Sequence, residues 1–232
     1  MPRTRLIVMT TTLHTPAITH LTHRAKYVTE AVGTFVLVFT VGASSLGGSP
    51  LAPVAIGAAL MAMIYAGGHI SGAHYNPAVT LAVLVRGRIT AREAVGYFAS
   101  QIVGGIVAAA AVTGVMPTGP AHPLTLSGHA MVMAAVAELV FTFVLCFVVL
   151  NVATSKDHPD NSFYGLAIGF TVAAGAIAVG AISGGVLNPA VGIAGLGLGM
   201  FTGPVVFVYL VVQLIAAVAA GTAFRFLNPD DK

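Results

Sequence analysis

Two Asn-Pro-Ala triplets lie inside long apolar stretches and carry the side chains best suited to hydrogen bonding. Asn76-Pro77-Ala78 lies in ISGAHYNPAVTLA, and Asn188-Pro189-Ala190 lies in ISGGVLNPAVGIAG. Each asparagine amide has two N–H donors, which can bind the lone pairs of a passing neutral solute. No nucleophile paired with a base, phosphate loop or metal-ligand cluster accompanies them, so we expect no catalytic site, no metal and no cofactor.

The order of residues in each triplet predicts the start of a helix. Proline fixes φ and lacks an N–H, which suits the first helical position, and asparagine is a favoured N-cap. Asn76 and Asn188 should therefore each begin a helix. A helix N-terminus carries about half a positive charge, so two facing ends would admit neutral solutes and repel cations.

Composition indicates that the elements around these triplets lie in a membrane. The hydrophobic share is 57% and the charged share 7%, whereas soluble domains are about 25% charged. The basic residues do not cluster on a soluble face, so no nucleic-acid partner is expected. Six segments have the length of a transmembrane helix, namely about 27–47, 51–68, 91–114, 129–152, 162–181 and 203–224.

The remaining apolar segments, 76–86 and 188–199, are too short to span and too apolar for ordinary loops. We interpret them as re-entrant half-helices, and their matching positions in two halves indicate a binding or conduction site. The chain is therefore expected to be an all-α membrane protein.

Sequence similarity between the two halves indicates an internal duplication. The paired residues are Asn76 with Asn188, Tyr97 with Tyr209, Gln101 with Gln213, and Glu30 with Glu138. Each half contains three spans, an odd number, so the second half enters the membrane in the opposite sense. This predicts an inverted repeat, with repeat 1 at about 27–114 and repeat 2 at about 129–225, inside a channel domain 27–225 with tails 1–26 and 226–232.

The distribution of positive charge predicts the orientation. Lysine and arginine occur before span 1, between spans 2 and 3, between spans 4 and 5, and after span 6. The loops after spans 1, 3 and 5 contain none, so the positive-inside rule places both termini in the cytoplasm.

Four ionisable residues near the triplets have two possible roles each. His69 and His74 could be metal ligands or proton carriers, but nearby carboxylates or thiols at ligand spacing are lacking, which favours a role in orienting the first re-entrant loop. Glu30 and Glu138 could couple transport to protons. Their symmetry, and the loop groups that need partners, favour a supporting role instead.

The motif GGHISGAHYNPAVT resembles the first signature of the aquaporin or major intrinsic protein family, and TEAVGTFVLVF is similar to the first helix of that family. The resemblance extends from about residue 27 to 225. It implies an aquaporin-like fold and a homotetramer in which each subunit has its own pore. It also implies that Glu30 and Glu138 bond backbone groups of the two re-entrant segments.

The same resemblance implies a selectivity filter at Ile56, Ala176, Gly185 and Val191. Most relatives have arginine at the position of Val191, so this chain departs from the family there. The four residues predict a wider, apolar constriction without a fixed cation. We therefore expect a passive pore in the cell membrane for water and small uncharged solutes such as ammonia, hydrogen peroxide, urea or glycerol.

A secondary transporter is the alternative that the sequence leaves open, because inverted repeats with broken helices occur in both classes. Linear flux that does not saturate and does not respond to ion gradients would favour the channel.

Overall fold

The computed structural model describes residues 22–116 and 122–231, which form eight helices. They are α1 (His23–Leu46), α2 (Ala52–Ser71), α3 (Pro77–Arg86), α4 (Ala91–Val115), α5 (Gly128–Thr154), α6 (Tyr164–Ser183), α7 (Pro189–Gly197) and α8 (Gly203–Leu227). Most of the predicted N-terminal tail, residues 1–21, lies outside the described residues.

Six of these helices are long and apolar enough to cross a membrane. Each overlaps one predicted span, and the two shorter apolar segments coincide with α3 and α7, which have 10 and 9 residues. The predicted all-helical fold, with six long helices and two half-helices, is confirmed.

The two repeats interlock through their half-helices. In repeat 1, α1 packs against α2 and α4, and in repeat 2, α5 packs against α6 and α8. The half-helix α3 of repeat 1 packs against α8 of repeat 2, while α7 of repeat 2 packs against α4 of repeat 1. Each half-helix therefore depends on a long helix of the other repeat for its position.

Small residues allow the long helices to approach closely. At Gly104 in α4, an added methyl group would overlap the backbone carbonyl oxygen of Ala31 in α1. At Gly57 in α2, it would lie 2.5 Å from the carbonyl oxygen of Gly169 in α6. Both obstacles are backbone atoms, which cannot rotate away as a side chain can.

The side of the bundle at which α1 begins and α8 ends is here called the terminal face. The buried carboxylate of Asp231 fixes the segment after α8 to this face. Asp231 binds the Arg86 guanidinium at the end of α3, and accepts from Arg88 Nη2 at 3.0 Å and from the Lys156 backbone N–H at 2.9 Å. Burial opposes ionisation of Asp231, but these hydrogen bonds outweigh it and lower its pKa to about 2. Asp231 therefore stays ionised at neutral pH and ties together both repeats.

We predict that Gly104→Ala destabilises the protein by about 1–3 kcal/mol, the usual cost of overpacking, because α1 and α4 must move apart. Gly114→Ala, in the same helix, is the matched control, since an added methyl group there meets no atom within 4 Å among the described residues. The control should be neutral or stabilising by up to about 1 kcal/mol. Thermal unfolding in detergent measures both, and equal midpoints for the two variants would contradict the packing account.

Candidate functional site

The two asparagines cap their half-helices as the sequence predicts. Asn76 Oδ1 accepts a hydrogen bond from the backbone N–H of Ala78 at 2.8 Å, and Asn188 Oδ1 accepts from Ala190 at 2.9 Å. Pro77 and Pro189 occupy the first helical positions, where a missing N–H costs nothing. The side-chain oxygen of each asparagine is thus used within its own helix, and the amide nitrogen is turned elsewhere.

The amide nitrogens join the two half-helices to each other. Asn76 Nδ2 donates to the carbonyl oxygen of Leu187, and Asn188 Nδ2 donates to the carbonyl oxygen of Tyr75, both at 2.9 Å. Each acceptor directly precedes the opposite asparagine, so the N-termini of α3 and α7 meet. Because each amide has two N–H groups and this contact uses one, one donor remains on each asparagine for a solute.

Both asparagines line a central cavity of about 60 Å³. A water molecule needs about 10–15 Å³ on this measure, so the cavity has room for a few waters. The four positions predicted to form the filter, Ile56, Ala176, Gly185 and Val191, line the same cavity. Among the described residues that line it, none is lysine, arginine, aspartate or glutamate.

Glu30 holds the loop between α2 and α3 from inside the protein. Its carboxylate accepts from the Ser71 hydroxyl at 2.6 Å, from the backbone N–H groups of His74 and Tyr75 at 2.9 and 2.7 Å, and from Gln101 Nε2 at 2.8 Å. The side chain is fully buried. Four donors therefore surround one carboxylate, and two of them are backbone groups with no helical partner.

Glu138 repeats this arrangement in the second half. It accepts from the Ser183 hydroxyl at 2.7 Å and from the backbone N–H groups of Val186 and Leu187 and from Gln213 Nε2, each at 2.8 Å. It is also fully buried. The matching contacts of the two glutamates show that the duplication seen in the sequence extends to the hydrogen bonds that support the site.

The re-entrant loops contain unusual backbone conformations at residues other than glycine. Ala73 and Tyr75 have φ of 52° and 48°, and Leu187 has φ of 51°. The left-handed region is unfavourable for such side chains, and residues there are held by their surroundings. The N–H groups of Tyr75 and Leu187 are both bound by the buried glutamates, which supplies that restraint.

The two histidines lie in different surroundings. His74 lines the central cavity, and its Nδ1 lies 3.0 Å from Thr80 Oγ1 in α3 while its ring packs edge-on against Tyr97. These contacts connect the first loop to α3 and α4. His69 lies in the last turn of α2 and lines a different cavity at the terminal face, so its predicted part in supporting the loop stays a prediction.

That second cavity, of about 340 Å³, lies on the terminal-face side of the central cavity. Its lining includes Gly72 and Val152. Gly72 is next to Ala73 in the chain, and Val152 is one helical turn from Val149, and both Ala73 and Val149 line the central cavity. The walls of the two cavities are therefore adjacent at these two positions.

Sequence reasoning missed two residues that line the central cavity on the side away from the terminal face. Met200 and Phe201, in the loop after α7, line the central cavity. Leu124 fixes them from the α4–α5 loop, since its N–H donates to the Met200 carbonyl at 2.8 Å and its carbonyl accepts from the Thr202 N–H at 3.3 Å. The Phe201 ring packs where a side chain on Gly184 would lie. Neither residue belongs to a recognisable motif.

Six membrane-length helices surround a cavity in which two half-helices meet, an arrangement typical of membrane channels and transporters. The family model described as "Major intrinsic protein" matches residues 17–180 and 164–231. The chain belongs to the major intrinsic protein family.

Individual relatives agree with this assignment. The chain is 39% identical over 219 residues to "Glycerol uptake facilitator protein-like 6" of Lactiplantibacillus plantarum, covering 89% of this chain and 99% of the relative. It is 37% identical over 218 residues to "Aquaporin NIP1-3" of Oryza sativa subsp. japonica, covering 89% and 75%. The fold is similar to that of the aquaglyceroporin from Plasmodium falciparum, with a TM-score of 0.75 at 21% identity over 88% of this chain and 96% of that one.

We predict that Glu138→Gln destabilises the protein, because an amide NH₂ replaces one acceptor oxygen and leaves at least one buried donor unpaired. The expected loss is about 1–3 kcal/mol for each unpaired donor. Glu93→Gln is the control, since Glu93 forms a partly exposed ion pair with Lys26 at 2.9 Å, and such pairs contribute about 0–1 kcal/mol. Thermal unfolding in detergent compares the two, and a Glu138 variant no less stable than the control would refute the supporting role.

We predict that Phe201→Leu enlarges the passage, because a smaller side chain replaces the ring in the cavity wall. Polyols of increasing size should then permeate proteoliposomes up to a larger size limit than with the original protein. Phe207→Leu is the matched control, since Phe207 is 68% exposed on α8 and lies outside the cavity. An unchanged size limit in the Phe201 variant would remove this residue from the wall of the passage.

Proposed function

We propose that this channel conducts water and small uncharged solutes passively through a wide, apolar constriction. As a member of its family, the chain is a passive channel for water and small solutes. The observation that carries the finer proposal is the lining of the central cavity. Two asparagine amides and the apolar set Ile56, Ala176, Gly185 and Val191 face the same space, and no fixed charge from the described residues joins them.

The asparagines supply hydrogen-bond donors to solutes in the passage. At their position the N-termini of α3 and α7 contribute partial positive charges, and one amide N–H on each side chain is free. A neutral solute accepts these hydrogen bonds as it passes. A cation would lose hydration and meet two positive helix ends without a ligand, which disfavours its passage.

The filter assignment explains which solutes should pass. Val191, which is 6% exposed, contributes an apolar side chain where most relatives are expected to have arginine. Ala176 and Gly185 add little volume, so the constriction should be wide and should bind polar solutes weakly. Ammonia, hydrogen peroxide, urea and glycerol fit this description, and the similar proteins include a glycerol uptake facilitator-like protein and an aquaporin.

The charge distribution supports the proposed orientation in the membrane. We place the channel domain, residues 27–225, in the cell membrane with the terminal face in the cytoplasm. The terminal face carries Arg86, Arg88 and Lys156, which are joined through Asp231. This is the side that the positive-inside rule assigns to the cytoplasm.

A homotetramer with one pore in each subunit is the assembly that the family resemblance supports. Large apolar side chains are exposed on the long helices, for example Val95 at 66% and Ile177 at 66%. Lipid and neighbouring subunits together would cover these surfaces.

The contacts of the buried glutamates favour a channel over the alternative of a proton-coupled transporter. Glu30 and Glu138 each accept four hydrogen bonds, and both are fully buried. Their oxygens are occupied by the loops that they support.

We predict that Val191→Arg narrows the constriction and adds a fixed charge. Permeability to glycerol and urea should fall by at least about tenfold, which corresponds to about 1.4 kcal/mol of barrier. Val191→Leu is the matched control, because it adds volume without charge and should reduce flux less. Stopped-flow light scattering on proteoliposomes measures water first and then solutes of increasing size.

Three outcomes of this experiment count against the proposal. Solute flux and size limit that do not change in Val191→Arg would show that Val191 is outside the constriction. Vesicles that shrink no faster with protein than without it would refute conduction. Flux that saturates and follows an imposed pH gradient would indicate a transporter.

A further inference from the structure

A third cavity lies at the terminal face, between the end of α3 and the end of α8. Its volume is about 530 Å³, and its lining consists of Arg86, Gly87, Arg225, Asn228, Pro229 and Asp231. It shares no lining residue with the central cavity or with the second cavity. Its function is therefore to be sought in the groups that line it.

Arg225 is the group in this cavity with the most unused binding capacity. Its Nη1 donates to the carbonyl oxygen of Val85 at 3.3 Å. A guanidinium has five N–H donors, so four remain. Arg225 forms no ion pair within residues 22–116 and 122–231, and its charge is available to an anion.

Arg86 adds a second unused donor. Its side chain is 1% exposed, and its Nε has no hydrogen-bond partner in the described part of the chain. A buried donor of a charged group is costly to leave unpaired. Nε itself has almost no exposed surface, so a ligand in the cavity would reach it only if the Arg86 side chain shifted.

The carboxylate in the cavity wall does not cancel this positive charge. Asp231 is already bound by the two arginines Arg86 and Arg88 and by a backbone N–H. Two cations thus surround one anion, and Arg225 adds a third positive charge. The cavity has a net positive charge.

The position of Arg225 on α8 indicates where the anion comes from. Phe207, Val211, Leu214 and Val218 are exposed at helical spacing, and Arg225 continues this face seven residues after Val218. The next two residues, Phe226 and Leu227, are 82% and 60% exposed. An apolar stripe that ends in an arginine is typical of a helix whose last turn reaches the lipid headgroups.

We propose that this cavity binds the phosphate group of an anionic phospholipid from the cytoplasmic leaflet, with Arg225 as its main ligand and Arg86, which also lines the cavity, as a second positive charge. Arginine binds phosphate oxygens through paired N–H groups, and basic pockets on the cytoplasmic side of membrane proteins bind lipid headgroups. The site depends on the membrane orientation and is independent of the selectivity of the pore.

The test compares lipid binding to the purified full chain and to two variants. Phosphatidylglycerol is titrated in detergent, and the bound lipids are counted by mass spectrometry of the intact protein. Arg225→Gln should weaken the first binding event about fivefold, the effect of one arginine near an anionic lipid surface. Arg92→Gln should bind as the original protein does, because Arg92 is exposed in the first turn of α4 and does not line the cavity.

Two further ligands separate lipid from other sources of the same chemistry. Phosphatidylcholine should bind much more weakly than phosphatidylglycerol, and inorganic phosphate should not displace the lipid at equal concentration. Equal binding of phosphatidylglycerol to both variants would overturn the assignment, as would equal binding of the two lipids. Displacement by inorganic phosphate would assign the cavity to a soluble phosphate instead. Unchanged water permeability of Arg225→Gln vesicles would confirm that this variant is folded.

Discussion

The hydrogen bonds from the re-entrant loops to two buried glutamates are the interaction on which the rest of the site depends. Backbone groups at membrane depth have no bulk water to bind, so each unpaired group is costly. Glu30 and Glu138 each bind two loop N–H groups, a serine and a glutamine, and they hold Tyr75 and Leu187 in backbone conformations that such residues rarely adopt. Loss of either carboxylate would leave these loop groups unpaired and would weaken the placement of the half-helices at the centre of the bundle.

The reciprocal bonds of the asparagines follow from that support. Each loop ends in a carbonyl group that accepts a hydrogen bond from the asparagine of the other loop, at Leu187 and at Tyr75. The two half-helices therefore fix each other in position, and each amide keeps one donor for the passage. The repeats are nearly symmetric at this point. They differ in the wall of the central cavity, which includes Met200 and Phe201 from the loop after α7, and at the terminal face, where Asp231 ties the end of α3 to the chain after α8.

Much of the fold follows from length, composition and duplication. Six apolar segments of spanning length and two shorter ones predict the helices, because membrane thickness fixes how long a spanning helix must be. The Asn-Pro order predicts where α3 and α7 begin, and the paired glutamates predict a shared supporting role. The strained residues Tyr75 and Leu187 could not be predicted, since residues other than glycine rarely adopt positive φ and the sequence around them does not mark such a conformation. Met200 and Phe201 were missed because Leu124, far away in the chain, holds them against the cavity, and single apolar residues in a loop give no periodic signal.

The position of water molecules between the two asparagines tests the central claim most directly. A high-resolution map of the protein in a lipid bilayer should show a file of waters through the central cavity. One water should lie within about 3 Å of Asn76 Nδ2 and of Asn188 Nδ2, as a hydrogen bond requires. A map in which both amides bind only protein atoms, or in which side chains close the cavity between Val191 and His74, would contradict the account.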